Sequence, residues 1–292
     1  MEEEIIKLIN SNKFEEIGEG FVSKSYKLEI NSKKYILLQG QIEDSYKCYL
    51  VSYNNLIFLL NNNKPLIKSL KIPFENIYLI KPNAKFSFLK YGALLYSEIK
   101  GLVFYEKYFD KINIENLTDS ISKFLIELYN IPINKNKINE YRNKLIKQFN
   151  SDTLILKQNL KGDILDKIIA FEKEYLDYIN NFEDFHYIHG DLWEENMIVS
   201  ENYQELIGIV DFDNFGIADN AQDYASLLDF GFDFIKILVD KTKDIIKQKE
   251  EFIKRIKINQ KLIEYEDLAY ILREPKLEHR LTSKLHNLKE LL

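Results

Sequence analysis

His189-Gly190-Asp191-Leu192-Trp193-Glu194-Glu195-Asn196 sets an aspartate directly after His-Gly and an asparagine five residues further on. Fifteen residues beyond Asn196 comes Asp211, inside the run Leu206-Ile207-Gly208-Ile209-Val210-Asp211-Phe212-Asp213, which is apolar and then ends abruptly in acid. A buried strand that stops at a carboxylate presents that carboxylate at a loop end. The spacing supplies three oxygen-bearing groups at loop ends. Phosphoryl transfer needs such a set: one carboxylate to orient the attacking hydroxyl and accept its proton, then an amide oxygen and a second carboxylate to hold Mg²⁺ against phosphates.

The order and short gap of the two segments resemble the catalytic loop and metal-binding segment of the aminoglycoside phosphotransferase and choline kinase superfamily, relatives of the protein kinases. The resemblance implies Asp191 as catalytic base and Asn196 and Asp211 as magnesium ligands, with ATP or GTP as phosphate donor. It continues downstream through Gly216, Asp219 and Asp223, where Asp223 would brace the catalytic loop from a helix. His189 would support the loop backbone rather than act as a base; a plain packing histidine is the alternative.

Upstream, Gly18-Glu19-Gly20-Phe21-Val22-Ser23-Lys24-Ser25-Tyr26 lies between two strand-like runs. Taken alone it is a hairpin turn. Beside the motif above it resembles the family's nucleotide-covering hairpin, with Gly18, Gly20, Ser23 and Lys24 near the nucleotide and glycines allowing close backbone approach to phosphates. Tyr96-Ser97-Glu98-Ile99-Lys100-Gly101 resembles the interlobe hinge of the aminoglycoside 2″-phosphotransferase branch, where backbone around Ser97 and Ile99 would bond a purine edge. The resemblance spans roughly residues 14–230.

One part of the pattern is missing. Kinases of this superfamily carry a lysine on the third strand, paired with a glutamate on the next helix. Here those positions fall at Leu38 and near Tyr53. A glutamate left without its lysine would be a costly unpaired charge, so the joint absence is coherent. Three readings stay open: Lys24 or Lys27 replaces the charge, phosphate positioning is weaker, or the fold binds without catalysis.

Around these segments, 14–17, 21–30, 34–39, 76–81 and 93–99 read as strands, with Asn31-Ser32 a hairpin turn. Residues 2–10 and 45–61 read as helices, the second with Tyr49, Tyr53, Leu56 and Leu60 on one side. After Lys100-Gly101 the pattern turns helical: 115–130, 137–149, 153–181, 219–248 and 249–290, interrupted by β-rich 196–200 and 206–212. The fold class expected is α+β and kinase-like. A small antiparallel β-sheet lobe with one main helix (1–97, nucleotide-binding) precedes a larger helical lobe (98–292, catalytic and substrate-binding).

Whole-chain features narrow the partners. The chain has 292 residues and a formal net charge of −6, with no basic stripe, so nucleic acid is not an expected partner. No apolar run reaches the ~20 residues that span a bilayer. The acidic start Met1-Glu2-Glu3-Glu4 lacks a signal core, so a cytoplasmic protein is expected, monomeric or weakly dimeric. The lone Cys48 forms no internal disulfide, and the four histidines show no zinc spacing. The acceptor expected is a hydroxyl of a cationic, aminoglycoside-like molecule. Trp193, Glu194, Glu195, Asp229 and Asp233 are candidate substrate contacts, each with a solvated or core role as the plain alternative. The same two roles stand open for Glu264, Glu266 and Asp267. Trp193 after His-Gly-Asp-Leu also resembles the fructosamine kinase branch. A kinase of choline, a sugar or a glycated amine, and a ligand-binding pseudokinase, are the competing functions.

Overall fold

The computed structural model describes residues 5–8, 14–19, 23–60, 65–72, 76–246 and 248–292. The chain divides into two compact units: Met1–Glu127 with Trp193–Phe215, and Leu128–Leu192 with Gly216–Leu292.

The first unit is built on an antiparallel sheet of β1 (Phe14–Glu19), β2 (Ser23–Ile30), β3 (Lys33–Gly40), β4 (Tyr78–Ile80) and β5 (Ala93–Ser97), in the order β1-β2-β3-β5-β4. Asn31 and Ser32 both take positive φ (52° and 64°), the geometry of a tight two-residue hairpin turn. Alternate residues Tyr26, Leu28 and Ile30 on β2, Tyr35 and Leu37 on β3, and Ala93 and Leu95 on β5 make one buried face with Ile5 and Leu89. Helix α1 (Ser45–Leu60) buries Ser45, Tyr49, Ser52, Leu56 and Leu59. That stripe corrects the expected one: Tyr53 and Leu60 are half-buried. A second sheet joins β6 (Leu102–Val103), β8 (Met197–Val199) and β9 (Leu206–Ile209) in the order β6-β8-β9. Helix α2 (Ile114–Tyr129) buries Leu117, Ile121, Phe124, Leu125 and Leu128, the stripe its periodicity predicts.

The second unit is helical: α3 (Ile138–Asn159), α4 (Asp163–Asn181), α5 (Ala221–Ala225), α6 (Phe232–Lys241), α7 (Lys249–Arg273) and α8 (Leu281–Leu291). Its core is aromatic. Phe149 of α3 stacks on Tyr265 of α7 at 5.0 Å, with Phe171 and Tyr175 of α4 beside them. A two-stranded pair, β7 (Phe185–Ile188) and β10 (Gly216–Asp219), completes it.

Several expected boundaries move, each for a local reason. The break expected at 150–152 lies at 160–162, because Gly162 adopts φ 65° and ψ −150°, a conformation only glycine takes without strain. Asp152 and Thr153 sit inside α3, where Thr153 bonds back to the Phe149 carbonyl at 2.8 Å. The expected helix 219–248 is broken up: Asp219 ends β10, α5 stops at Ala225, and after Gly231 α6 runs Phe232–Lys241; the helix expected at 249–290 stops before Pro275, which opens a 3₁₀ turn. Strands β7 and β10 are four residues each, too short to show a period. The helix expected at 2–10 is seen at 5–8; the rest of that stretch lies outside the described residues, as do Gly20, Phe21 and Val22.

Candidate active site

In the first unit the β8–β9 register brings Asn196 and Asp211 to one end of a sheet. Met197 pairs with Ile209, and the amide of Val210 continues the ladder by donating to the Asn196 carbonyl at 2.9 Å. Asp211 follows Val210 directly and takes φ 62°, a sparsely populated conformation for a residue with a Cβ. Its carboxylate accepts the Asp213 backbone N–H, while crowding by protein atoms raises its pKa. The residue nevertheless keeps open surface. A carboxylate with a poorly solvating surround and one open side is one whose charge a cation offsets.

The segment read as a hinge meets this sheet at a glycine. A Cβ on Gly208 would come within 2.7 Å of the Lys71 carbonyl and 2.9 Å of the Ile99 side chain, so only glycine lets that approach occur. Ser97 ends β5, its hydroxyl 3.3 Å from Asn76 Nδ2, and the Glu98 amide donates to the Lys34 carbonyl at 3.0 Å. Tyr96 has its hydroxyl pushed well up by burial, then further by the Asp211 and Asp213 carboxylates.

The hairpin places Gly18 opposite Ser25 beside a bulge in β1, and Ser23 at the start of β2 opposite Gly40. Lys24 is ion-paired with Glu16 at 3.3 Å and Glu19 at 3.6 Å on the neighbouring strand. Lys27 is ion-paired with Glu98. Both lysines weighed as substitutes for the missing charge therefore hold carboxylates of the first unit. Leu38 is half-buried on β3, and Tyr53 on α1 likewise. One turn before Tyr53, Tyr49 is 1% exposed, and among the described residues its hydroxyl lacks a hydrogen-bond partner within bonding geometry.

In the second unit, the loop carrying Asp191 is fixed through its backbone. Asp223 on α5 is fully buried and accepts the amide of His189 at 3.1 Å and of Gly190 at 2.8 Å, one on each oxygen. The Tyr129 hydroxyl, 3.2 Å from Asp223, adds a third donor. Burial raises Asp223 to about 6, while the two amides and Tyr129 pull the other way. The His189 ring, wholly buried, accepts the Asp191 amide at Nδ1, 3.3 Å away. Asp191 itself is half-buried.

Asp219 anchors the segment before α5. It accepts from Tyr178, from Arg255 and, at 2.7 Å, from Asn259. Arg255 also reaches Asn220 at 2.7 Å and lies over the Phe182 ring at 4.8 Å. Nothing in the sequence marks Tyr129, Tyr178, Arg255 or Asn259. Each sits within an ordinary helical pattern, and only contacts between distant segments reveal it.

The candidate substrate residues are scattered. Trp193 and Glu194 are half-buried and Glu195 is exposed in the first unit. In the second, Asp229 is exposed, and Asp233 is exposed and ion-paired with Lys236 at 2.8 Å. Glu264 and Asp267 both pair with Lys284, at 3.1 and 2.6 Å.

Asn196 and Asp211 suit magnesium. Both offer oxygen, and a small hard cation takes one or two protein ligands with water and phosphate filling the rest. Among the described residues no group of three or more His, Cys, Asp or Glu is placed to hold a metal. Nor is any helix of the described residues long and apolar enough to cross a membrane.

A model described as "Phosphotransferase enzyme family" matches residues 77–242. No curated protein matches the chain. Among solved structures, the GDP complex of wild-type aminoglycoside 2′-phosphotransferase-IIIa is similar at TM-score 0.71 and 19% identity, over 99% of this chain and 97% of that one. The gentamicin–APH(2″)-IIa complex is similar at TM-score 0.71 and 19% identity, over 97% and 95%. Macrolide 2′-phosphotransferase type I follows at 0.64 and 12%, over 98% and 96%. At these identities the likeness speaks for the fold, which is kinase-like: a five-stranded antiparallel sheet with a helix, then a mostly helical region.

Proposed function

The chain belongs to the phosphotransferase enzyme family, and from that premise we propose that it transfers the γ-phosphate of ATP or GTP to a hydroxyl of a cationic, aminoglycoside-like small molecule. The observation that carries the reading is the bracing of the Asp191 loop by Asp223, which accepts both preceding amides inside the family-matched stretch. A loop held in that way keeps a carboxylate in a set orientation, and orientation is most of what a phosphotransferase contributes.

In this mechanism Asp191 accepts a hydrogen bond from the acceptor hydroxyl, aligns its oxygen for in-line attack and takes its proton. Asn196 and Asp211 would hold a magnesium ion, which would supply neutralisation of charge on the phosphate oxygens. Gly18, Gly20, Ser23 and Lys24 cover the nucleotide, and the backbone at Ser97 and Ile99 bonds its base. His189 and Asp223 keep the loop in place. Trp193, Glu194, Glu195, Asp229 and Asp233 are offered as acceptor contacts. The protein is read as cytoplasmic, with no nucleic-acid or membrane partner.

A second reading, a nucleotide-binding protein with little transfer activity, is favoured by one observation: Leu38 and Tyr53 replace the usual ion pair while Lys24 and Lys27 are engaged elsewhere. A panel of aminoglycosides, macrolides, choline and amino sugars, incubated with Mg²⁺ and ATP or GTP, separates the two. The expected result is a product heavier by one phosphoryl group with an aminoglycoside. A product with only a metabolite moves the protein to another acceptor. Nucleotide binding with no product from any acceptor favours the second reading.

A further inference from the structure

Helix α1 reaches the metal-binding segment through Asn55. Its side-chain amide donates to the Phe212 carbonyl at 2.7 Å and lies 3.4 Å from the Phe215 carbonyl. Both acceptors flank the turn that begins at Asp211, and that turn bends back on itself, the Phe215 amide bonding the Phe212 carbonyl at 3.3 Å. Asp211 enters it at φ 62°, and such a backbone persists only where its surroundings hold it. Phe58, nearly one turn beyond Asn55, packs its ring 5.9 Å from that of Phe215. One helix thus grips the turn by a polar and an apolar contact, all within a single compact unit. Asn55 also sits two residues from Tyr53, the position where the usual glutamate is missing.

We propose that Asn55 is a positioning residue for magnesium: by fixing the Phe212 carbonyl it sets the direction of the Asp211 carboxylate, so that α1 acts on the metal segment without a lysine–glutamate pair. The inference rests on the proposed reading of Asp211 as a magnesium ligand. Partners that orient a ligand cost about tenfold or more in metal affinity when removed.

The test titrates magnesium against the nucleotide-dependent rise in melting temperature of the full chain, with ATP and with GTP. For Asn55→Ala the expected result is a magnesium half-saturation raised about tenfold, with the nucleotide response at saturating magnesium close to wild type. Asn55→Gln keeps the donor and moves back toward wild type. A merely structural Asn55 would lower the melting temperature of the ligand-free protein and leave the magnesium half-saturation where it was; that result overturns the proposal. Should Asn55→Ala fail to fold, Asn55→Asp, of the same shape but without the N–H, decides by the same criterion. If the wild type shows no nucleotide response at any magnesium concentration, the reading of Asp211 falls and the role of Asn55 with it. A responding wild type matched by Asn55→Ala sinks the role of Asn55 alone.

Discussion

Asp223 carries opposed demands in one side chain. Burial favours its neutral form and raises it from 3.8 to about 6, yet two loop amides and Tyr129 donate to it. Because the folded value lies above the unfolded one, the stability it contributes is fullest below about pH 4 and is lost as the pH rises through about 6. Function runs the other way, since the amide clamp is strongest with the carboxylate ionised. The rate of phosphotransfer is therefore expected to fall on the acid side with an apparent pKa near 6, and Asp223→Asn to remove that limb while lowering the plateau. A pH profile of kcat for both proteins checks this, and an unchanged acid limb in the variant contradicts it. At Tyr49 the expectation is about stability. Among the described residues its buried hydroxyl has no partner, so Tyr49→Phe should be neutral or stabilise by about 1 kcal/mol in a urea melt. Both residues show what sequence carries at this scale. Asp191, Asn196, Asp211 and Asp223 stand out because the chemistry proposed for them restricts the residue type. Tyr129 and Asn55 do not, because their partners lie 94 and 157 residues away and nothing in a helical pattern marks them.

Among the elements, legibility followed length and period. Helix α2 shows its apolar stripe in sequence, and the stripe is buried. The four-residue strands β7 and β10 were not legible, being defined by pairing with each other rather than by any local pattern. The division between α3 and α4 was displaced because polar Ser151-Asp152-Thr153 imitates a loop, whereas Asp152 is held by Arg273 and Gln148 inside the helix. The real break depends on Gly162. A Cβ there meets nothing within 4 Å, so Gly162→Ala is a test of backbone strain alone. A loss of about 1–2 kcal/mol is expected by chemical denaturation. No loss would mean that the α3–α4 connection tolerates another conformation.

Across the whole molecule, the net charge of −6 suited a cationic acceptor in sequence, but the structure assigns several of the acids to other work. Asp219, Asp152, Glu264 and Asp267 hold Arg255, Arg273 and Lys284 within the helical unit. Glu266 lies beside that network, raised to about 8 first by burial and then by Asp152 and Asp267. Its contribution to stability is fullest below about pH 4.5 and is lost as the pH climbs through 8. Since Glu266 keeps a partly open edge, Glu266→Gln should stabilise by about 2 kcal/mol at about pH 9 and hardly at all at about pH 4. Melting curves at the two pH values check it, and equal shifts at both would contradict it. The central claim, that this chain is a working phosphotransferase, is tested most directly by following the γ-phosphoryl group of Mg·ATP and Mg·GTP into an acceptor, wild type beside Asp191→Asn. The account predicts transfer by the wild type and a loss of about a hundredfold or more in the variant, with nucleotide binding retained. Transfer by Asp191→Asn at the wild-type rate would contradict it.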